Sequence, residues 1–344
     1  MARRAREFRS DRRGGPNPFL AALAWIASAV TTAAAVVLVA AVLVIVEANR
    51  AGPAHHDDVQ AVVIPRGAGA AQIARHLQQE KVIRSALVFR VATIVYARSR
   101  TLKAGEYAIE PGASMRSVID QVAAGRVMLH PITVPEGLTS QMVADIINGS
   151  EVLSGDPIAA PSEGVLLPET YKVARGVDRA SLIKKMMAAH DEAIDELWAT
   201  RARNLPIASK TDAVILASIV EKETGIADER PRVAAVFVNR LRRGMRLESD
   251  PTIIYGVSQG RPLGRGITRS ELDRVTAYNT YKIDGLPPTP IANPGRAAIA
   301  AVLNPPQTNE LFFVADGTGG HAFAATLAEH QRNVARWRAI ERSQ

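Results

Sequence analysis

Between Arg13 and Glu47 the chain carries no charged side chain, and Phe19 to Val46 is dominated by Ala, Val, Leu and Ile. About 20 such residues cross the hydrocarbon core of a bilayer at ~1.5 Å of rise each. A cleaved secretory signal is the rival reading, but its apolar stretch is usually about 7 to 15 residues and closes on a small-residue cleavage site. The run is too long for that, so residues 19–46 are read as one uncleaved transmembrane helix. Directly before it, residues 1–18 hold Arg3, Arg4, Arg6, Arg9, Arg12 and Arg13 against Glu7 and Asp11, a cluster that supplies half of the formal charge of +8. Basic flanks stay on the cytoplasmic side, which places everything after Glu47 outside the cytoplasm.

With that tail set aside, the body is only mildly basic and aromatic residues make up 5% of the chain. Nucleic-acid binding, which calls for a basic stripe interleaved with aromatics, is not expected. The chain has no cysteine, which excludes a thiol nucleophile, a thiolate metal site and a disulfide framework. Residues 47–59 are polar and read as a linker. His55 and His56 beside Asp57 and Asp58 lie in it, but adjacent residues of a linker rarely converge on one ion.

A short motif then recurs. VVIPRGAGAAQIARHL (62–77), YAIEPGASMRSVIDQV (107–122) and ITVPEGLTSQMVADII (132–147) each read as a β-prone run, a turn with Pro and Gly, and a helix; Ser114 and Thr139 are placed as N-caps. Helices are expected over Ser181–Leu197, Lys210–Thr224 and Arg232–Arg243. After Gly244 the character changes to Gly- and Pro-rich loops with short apolar runs, and Leu311–Asp316 reads as a strand. Strand and helix do not alternate regularly, so the fold class is α+β and not a doubly wound sheet.

Two catalytic-looking patterns carry little. Gly256-Val257-Ser258-Gln259-Gly260 matches a nucleophile elbow, yet the RPLGRG that follows cannot start a helix promptly; Ser181–Lys184 matches S-x-x-K without its partner motifs. Phosphate-binding, dinucleotide-binding and zinc-protease signatures are absent from the sequence. That leaves SIVEKET (218–224). At 100° per residue, Glu221 shares a sector with Val214 and Ala217, and Glu223 lies about 200° away beside Leu216 and Ile219. Only Ser218 and Lys222 mark a polar face, so the helix is expected to be buried nearly all round. A carboxylate in that setting is paired, for instance with Arg230, Arg232 or Arg240, or has a raised pKa suited to a general acid. Spacing alone chooses neither between these readings nor between the two glutamates.

The long ordered runs SIVEKETGIADERPRVAAVFVNRLRRGMRLESDPTIIYG, AYNTYKIDGLPPTPIANPG and LFFVADGTGGHAF, together with EGVLLPETY (163–171), closely resemble the MltG/YceG-like family of bacterial membrane-anchored endolytic murein transglycosylases. The resemblance covers essentially the whole chain. It implies a cytoplasmic tail, a single inner-membrane span, a small LysM-like module over 60–127 and a periplasmic α+β catalytic domain over 128–344. It also implies cleavage of the MurNAc–GlcNAc bond of nascent glycan strands to 1,6-anhydro ends, with Glu221 as the catalytic acid/base and no cofactor or metal. The expected partners are peptidoglycan glycan strands, the inner membrane and peptidoglycan synthases.

Within the matching runs, Asn239, Arg240, Asp250, Tyr255, Tyr278, Asn279, Tyr281 and His321 are candidates for substrate binding, since sugars are held by aromatic faces and planar hydrogen-bonding groups. Core packing is the alternative for the tyrosines, and a buried ion pair for Arg240. Glu223 and Glu163 are candidate supporting carboxylates. The chain departs from the family pattern at Val165 and Leu167, where aromatics are usual, at Glu169 in place of Asp, and at Ala277 in place of Pro. The rival functional classes are a non-catalytic glycan-binding membrane scaffold and a hydrolytic muramidase.

Overall fold

The structure, a computed structural model, describes residues 18–53, 58–97 and 101–342. The arginine tail of residues 1–17 and the His55-His56-Asp57 stretch lie outside the described residues. The chain divides into two compact units, residues 1–128 and 129–344.

The first unit opens with the helix α1 (Pro18–Asn49), whose apolar side chains are exposed along nearly its whole length. It is long and apolar enough to cross a membrane. Its last two turns are different: Val44 and the fully buried Ala48 pack into the core of the unit. The stretch expected to be a free linker is therefore tied down at its start. Gly52 N–H donates to Gly112 O at 3.0 Å, and Arg84 donates to Ala51 O at 2.7 Å. There follow β1 (Gln60–Ile64), α2 (Ala70–Gln79), α3 (Ala86–Tyr96), β2 (Gly105–Ile109) and α4 (Met115–Ala124). β1 and β2 pair antiparallel with Val62 opposite Tyr107. Val62, Ile64, Ile73, Leu77, Phe89, Tyr107, Val118 and Ile119 fill the core beneath them.

The second unit contains β3 (Leu129–Thr133), α5 (Ser140–Asn148), β4 (Thr170–Ala174), α6 (Arg179–Ala199), α7 (Lys210–Glu223), α8 (Arg230–Arg242), α9 (Asp250–Ser258), α10 (Arg269–Asp273), α11 (Arg296–Leu303), β5 (Phe312–Ala315), β6 (His321–Ala324) and α12 (Leu327–Glu341). β3 pairs antiparallel with β4, and β5 with β6. The first pair and α5 close over Ile132, Val143, Ile147, Leu166, Tyr171 and Met186. A second core joins α7, α8 and α11 through Val214, Leu216, Ile219, Val233, Phe237 and Ile299. The fold is mixed α+β, as expected from the irregular succession of elements.

The recurring motif is real at the level of local structure. In each copy the turn glycine, Gly67, Gly112 or Gly137, has φ between 69° and 78°, a region open to glycine and costly for a residue with a Cβ. Ser114 and Thr139 accept the N–H bonds of Ser117 and Met142 and cap α4 and α5. The copies differ in pairing: β1 and β2 form one ladder, whereas β3 takes β4 as its partner.

The region after Gly244 departs from expectation, since it holds α9, α11 and α12 as well as loops. Each has a local cause. Pro251 stands in the first turn of α9, where its missing N–H costs nothing, α11 is alanine-rich between Gly295 and Asn304, and Thr326 caps α12 by accepting from Glu329 N–H. The elbow-like Ser258 lies in the last turn of α9, where its hydroxyl bonds Ile254 O and Arg261 O.

Candidate active site

α7 starts on a reciprocal cap between Ser209 and Asp212, and from Ala213 to Val220 every residue is buried. Ser218, expected to mark a polar face, is fully buried too. Its hydroxyl donates to Ile215 O at 2.7 Å and accepts Ile291 N–H at 3.0 Å, holding the Thr289–Gly295 loop against the helix. The helix ends at Glu223, with Thr224 extended. Glu221 and Glu223 thus occupy the last turn, the end where the helix dipole disfavours a negative charge. Two carboxylates there oppose helix stability.

Being two positions apart, they face opposite sides. The Glu221 side chain is 5% exposed. Its Oε2 accepts the N–H of Gly295, the residue that opens α11, at 2.9 Å, and its Oε1 is 3.5 Å from Arg230 Nη2. The same Nη2 lies 3.7 Å from Glu136 Oε2. Glu136 sits in the turn after β3 and rests so closely on Gly295 that any side chain there would collide with its carboxyl. Burial pushes the Glu221 carboxyl above the usual range; the Gly295 N–H opposes this, Glu136 adds to it, and Arg230 and Lys222 pull it back. Arg230 Nε is buried without a hydrogen-bond partner, so the guanidinium is divided between two carboxylates and saturated by neither.

On the other side, Glu223 Oε1 accepts Ser249 Oγ–H at 2.5 Å. Burial pushes this carboxyl up to about 7, against the Ser249 bond and with help from nearby Asp250. Asp250 accepts the Tyr281 hydroxyl at 2.8 Å. His321 is held by Glu229, which accepts its backbone N–H at 2.9 Å and meets its Nδ1 at 2.8 Å.

A third carboxyl, Glu163, accepts Ser140 N–H at 2.8 Å and Asn293 Nδ2–H at 3.3 Å, and Tyr255 OH at 3.4 Å. Burial raises it also. Tyr255 packs on Tyr278 with ring centroids 5.0 Å apart, and the Tyr278 hydroxyl meets Thr289 Oγ1 at 2.7 Å. Asn293, fully buried, knits this region together: its side chain donates to Leu138 O and accepts Leu166 N–H, both at 3.0 Å. The segment Asn293–Gly295 therefore touches both Glu163 and Glu221.

The remaining candidates are turned into the fold. Asn239 donates to Thr308 O and Glu310 O. Asn279 donates to three carbonyls, of Glu271, Leu272 and Arg274. Arg240 spans Leu311 O, Arg246 O and Leu247 O and pairs with Glu248 at 3.0 Å. Of the three arginines considered for Glu221, Arg230 is the one that reaches it, while Arg232 pairs with Glu310. Sequence reasoning did not single out Glu136, Ser249, Asn293 or Gly295. Two signals were available: Glu136 stands where the first copy of the motif has Arg66, and Asn293-Pro294-Gly295 closes a run already noted for its prolines.

Comparison with known proteins adds the following. The model of the YceG-like family matches residues 62–336. An endolytic murein transglycosylase of Streptococcus pneumoniae strain D39 is 29% identical over 323 residues, covering 80% of this chain. The chain spans 57% of the length of that relative. An endolytic murein transglycosylase of Bacillus subtilis strain 168 is 27% identical over 301 residues, covering 78% of this chain and 82% of that one. A crystal structure of a YceG-like protein from Listeria monocytogenes matches at a TM-score of 0.50 and 28% identity, over 80% of this chain and 99% of that one.

Proposed function

The chain belongs to the YceG-like family, and from that premise we propose that it is an endolytic peptidoglycan lytic transglycosylase with Glu221 as its acid/base. The observation that carries the reading is the setting of Glu221: a buried carboxyl with raised pKa, one backbone N–H on Oε2, and an arginine at arm's length from Oε1. A general acid working near neutral pH must hold its proton until the substrate arrives and then be tolerated as an anion. Burial and Glu136 serve the first need. The Gly295 N–H and Arg230 serve the second.

In the proposed reaction, Glu221 gives its proton to the oxygen between MurNAc and GlcNAc as the bond from the MurNAc anomeric carbon to that oxygen breaks. The resulting carboxylate takes the proton of the 6-hydroxyl of the same MurNAc while that oxygen bonds the anomeric carbon. The acid is restored, and no water is consumed. Glycosidases that use two carboxylates need the second as nucleophile or water activator; here the internal hydroxyl fills that place, so Glu223 is free to be a supporting group. Tyr255, Tyr278, Tyr281, Asp250 and His321 are proposed to border the glycan, while Asn239, Arg240 and Asn279 act through the backbone they hold.

The reading extends to the rest of the chain. We propose that the arginine cluster before the apolar helix keeps the N-terminus in the cytoplasm, that the 128–344 domain is periplasmic, that residues 60–127 form a LysM-like glycan-holding module, and that peptidoglycan synthases supply the nascent strands. The test is product analysis. Full-length protein incubated with glycan strands is expected to release fragments ending in 1,6-anhydroMurNAc, and Glu221→Gln to release none. Equal release by the Gln variant overturns the mechanism. Reducing MurNAc ends, heavier by one water, identify a hydrolase, and no release by the wild type identifies a scaffold.

A further inference from the structure

The structure assigns a second membrane contact to the first unit: the outward face of α3, which we infer lies in the bilayer interface beside the end of α1. The inference rests on the reading of α1 as the span. α3 is apolar on two sides. Inward, Phe89 and Ala92 are fully buried in the core. Outward, Leu87, Val91, Ile94 and Val95 are exposed, Leu87 by 69% and Ile94 by 78%. Their spacing puts them on one stripe of the helix, with exposed Arg90 at its edge. Scattered apolar side chains on a surface need no explanation, but a contiguous stripe of large ones marks a contact face.

The occupant follows from where the stripe is held. Just before α3, Arg84 Nη1 donates to Ala51 O at 2.7 Å and lies 3.6 Å from Glu47. At the far end of α3, the Tyr96 hydroxyl accepts Asn49 Nδ2–H at 2.9 Å. Both ends of α3 are thus tied to residues 47 to 51, which holds this 11-residue helix close to the end of α1.

Ala48 and Val44 pack in the same core as Phe89, which prevents the unit from swinging away. The core of the unit lies on the inward side of α3, which leaves the stripe uncovered by the unit and held close to the end of α1. Apolar side chains entering the acyl boundary, with an arginine whose stem follows them and whose head reaches the phosphates, describe an interfacial helix.

The cysteine-free sequence allows single labels in the full chain. Val36→Cys in α1, Ile94→Cys in α3 and Glu192→Cys on exposed α6 are each coupled to an environment-sensitive fluorophore and reconstituted in phosphatidylethanolamine–phosphatidylglycerol vesicles. Nitroxide-bearing lipids and aqueous iodide then serve as quenchers. The Val36 and Ile94 labels are expected to be quenched from the lipid, Ile94 most by a nitroxide just below the headgroup and several-fold less by iodide than Glu192. An Ile94 label as open to iodide as Glu192, with Val36 still quenched from the lipid, overturns the interfacial face and leaves the span standing. An Ile94 label shielded from both quenchers overturns it in favour of a protein partner. A Val36 label untouched by lipid nitroxide removes the span reading and this inference with it.

Discussion

Replacing Glu136 by Gln removes a negative charge that acts on Glu221 in two ways. It repels the Glu221 carboxylate, and it draws on the Arg230 guanidinium that would otherwise serve Glu221 alone. Both carboxylates reach the same Nη2, at 3.7 and 3.5 Å, so their oxygens lie within about 7 Å of one another. At that separation like charges repel by ~2 kcal/mol at the effective dielectric of a protein surface and by ~0.6 kcal/mol in water. Glu136 is 44% exposed, so solvent screening sets the value between these, at about 1 kcal/mol.

Such a loss lowers the protonated fraction of Glu221 about fivefold at any pH above its pKa. A general acid is active in its protonated form, so activity falls as pH rises through that pKa, and a lowered pKa moves this descending limb to lower pH. The assay is the pH dependence of kcat/KM for release of anhydro-ended fragments, with Glu136→Asp as the charge-preserving control. At low pH the Gln variant is expected to approach wild-type rates, while on the alkaline side it trails by about fivefold. A descending limb that stays in place or moves to higher pH refutes the electrostatic coupling. An equal loss at every pH refutes it as well, and makes Glu136 a contact residue.

Two further outcomes follow from neighbouring groups. Glu223 has a folded pKa raised to about 7, so between the usual glutamate range and that value the folded state holds a proton the unfolded state has lost. Stability therefore declines with rising pH across this window. Glu223→Gln keeps an acceptor for Ser249 and should remove that decline, leaving the variant more stable above the window by on the order of 3 kcal/mol in denaturant unfolding; an unchanged slope counts against a buried charge. Ser218→Ala strands the N–H of Ile291 and is expected to cost about 1–3 kcal/mol. It should also slow catalysis by loosening the loop that carries Gly295, and a variant unaffected in both rate and stability rejects the loop-clamping role.

Much of the local structure was legible because its causes are local. The long apolar helix α1 follows from an uncharged run, the caps at Ser114 and Thr139 from residue type and position, and the glycine turns from the backbone angle they need. α7 was readable as a buried helix with two carboxylates on opposite sides, since helical geometry alone puts residues 221 and 223 about 200° apart. The helices after Gly244 were less legible, because frequent Gly and Pro mask short segments whose helicity comes from packing. Asn239, Arg240 and Asn279 illustrate the same limit at the level of the side chain. Their residue types suit a sugar or a carbonyl equally, and the nearby chain supplies the carbonyls.

What each glutamate experiences was decided in three dimensions. Gly295 is 74 residues from Glu221 in sequence, and the turn bearing Glu136 is joined to α7 by the Lys222 bond to Gly137 O across 85 residues. A carboxyl's pKa depends on the water removed from it and on the charges within a few ångströms, and both are set by which distant segments fold against it. From residues 218–224 alone one learns that two acids lie at the unfavourable end of a buried helix. That one meets an arginine shared with a second carboxylate, and the other a serine hydroxyl, is a property of the packed chain.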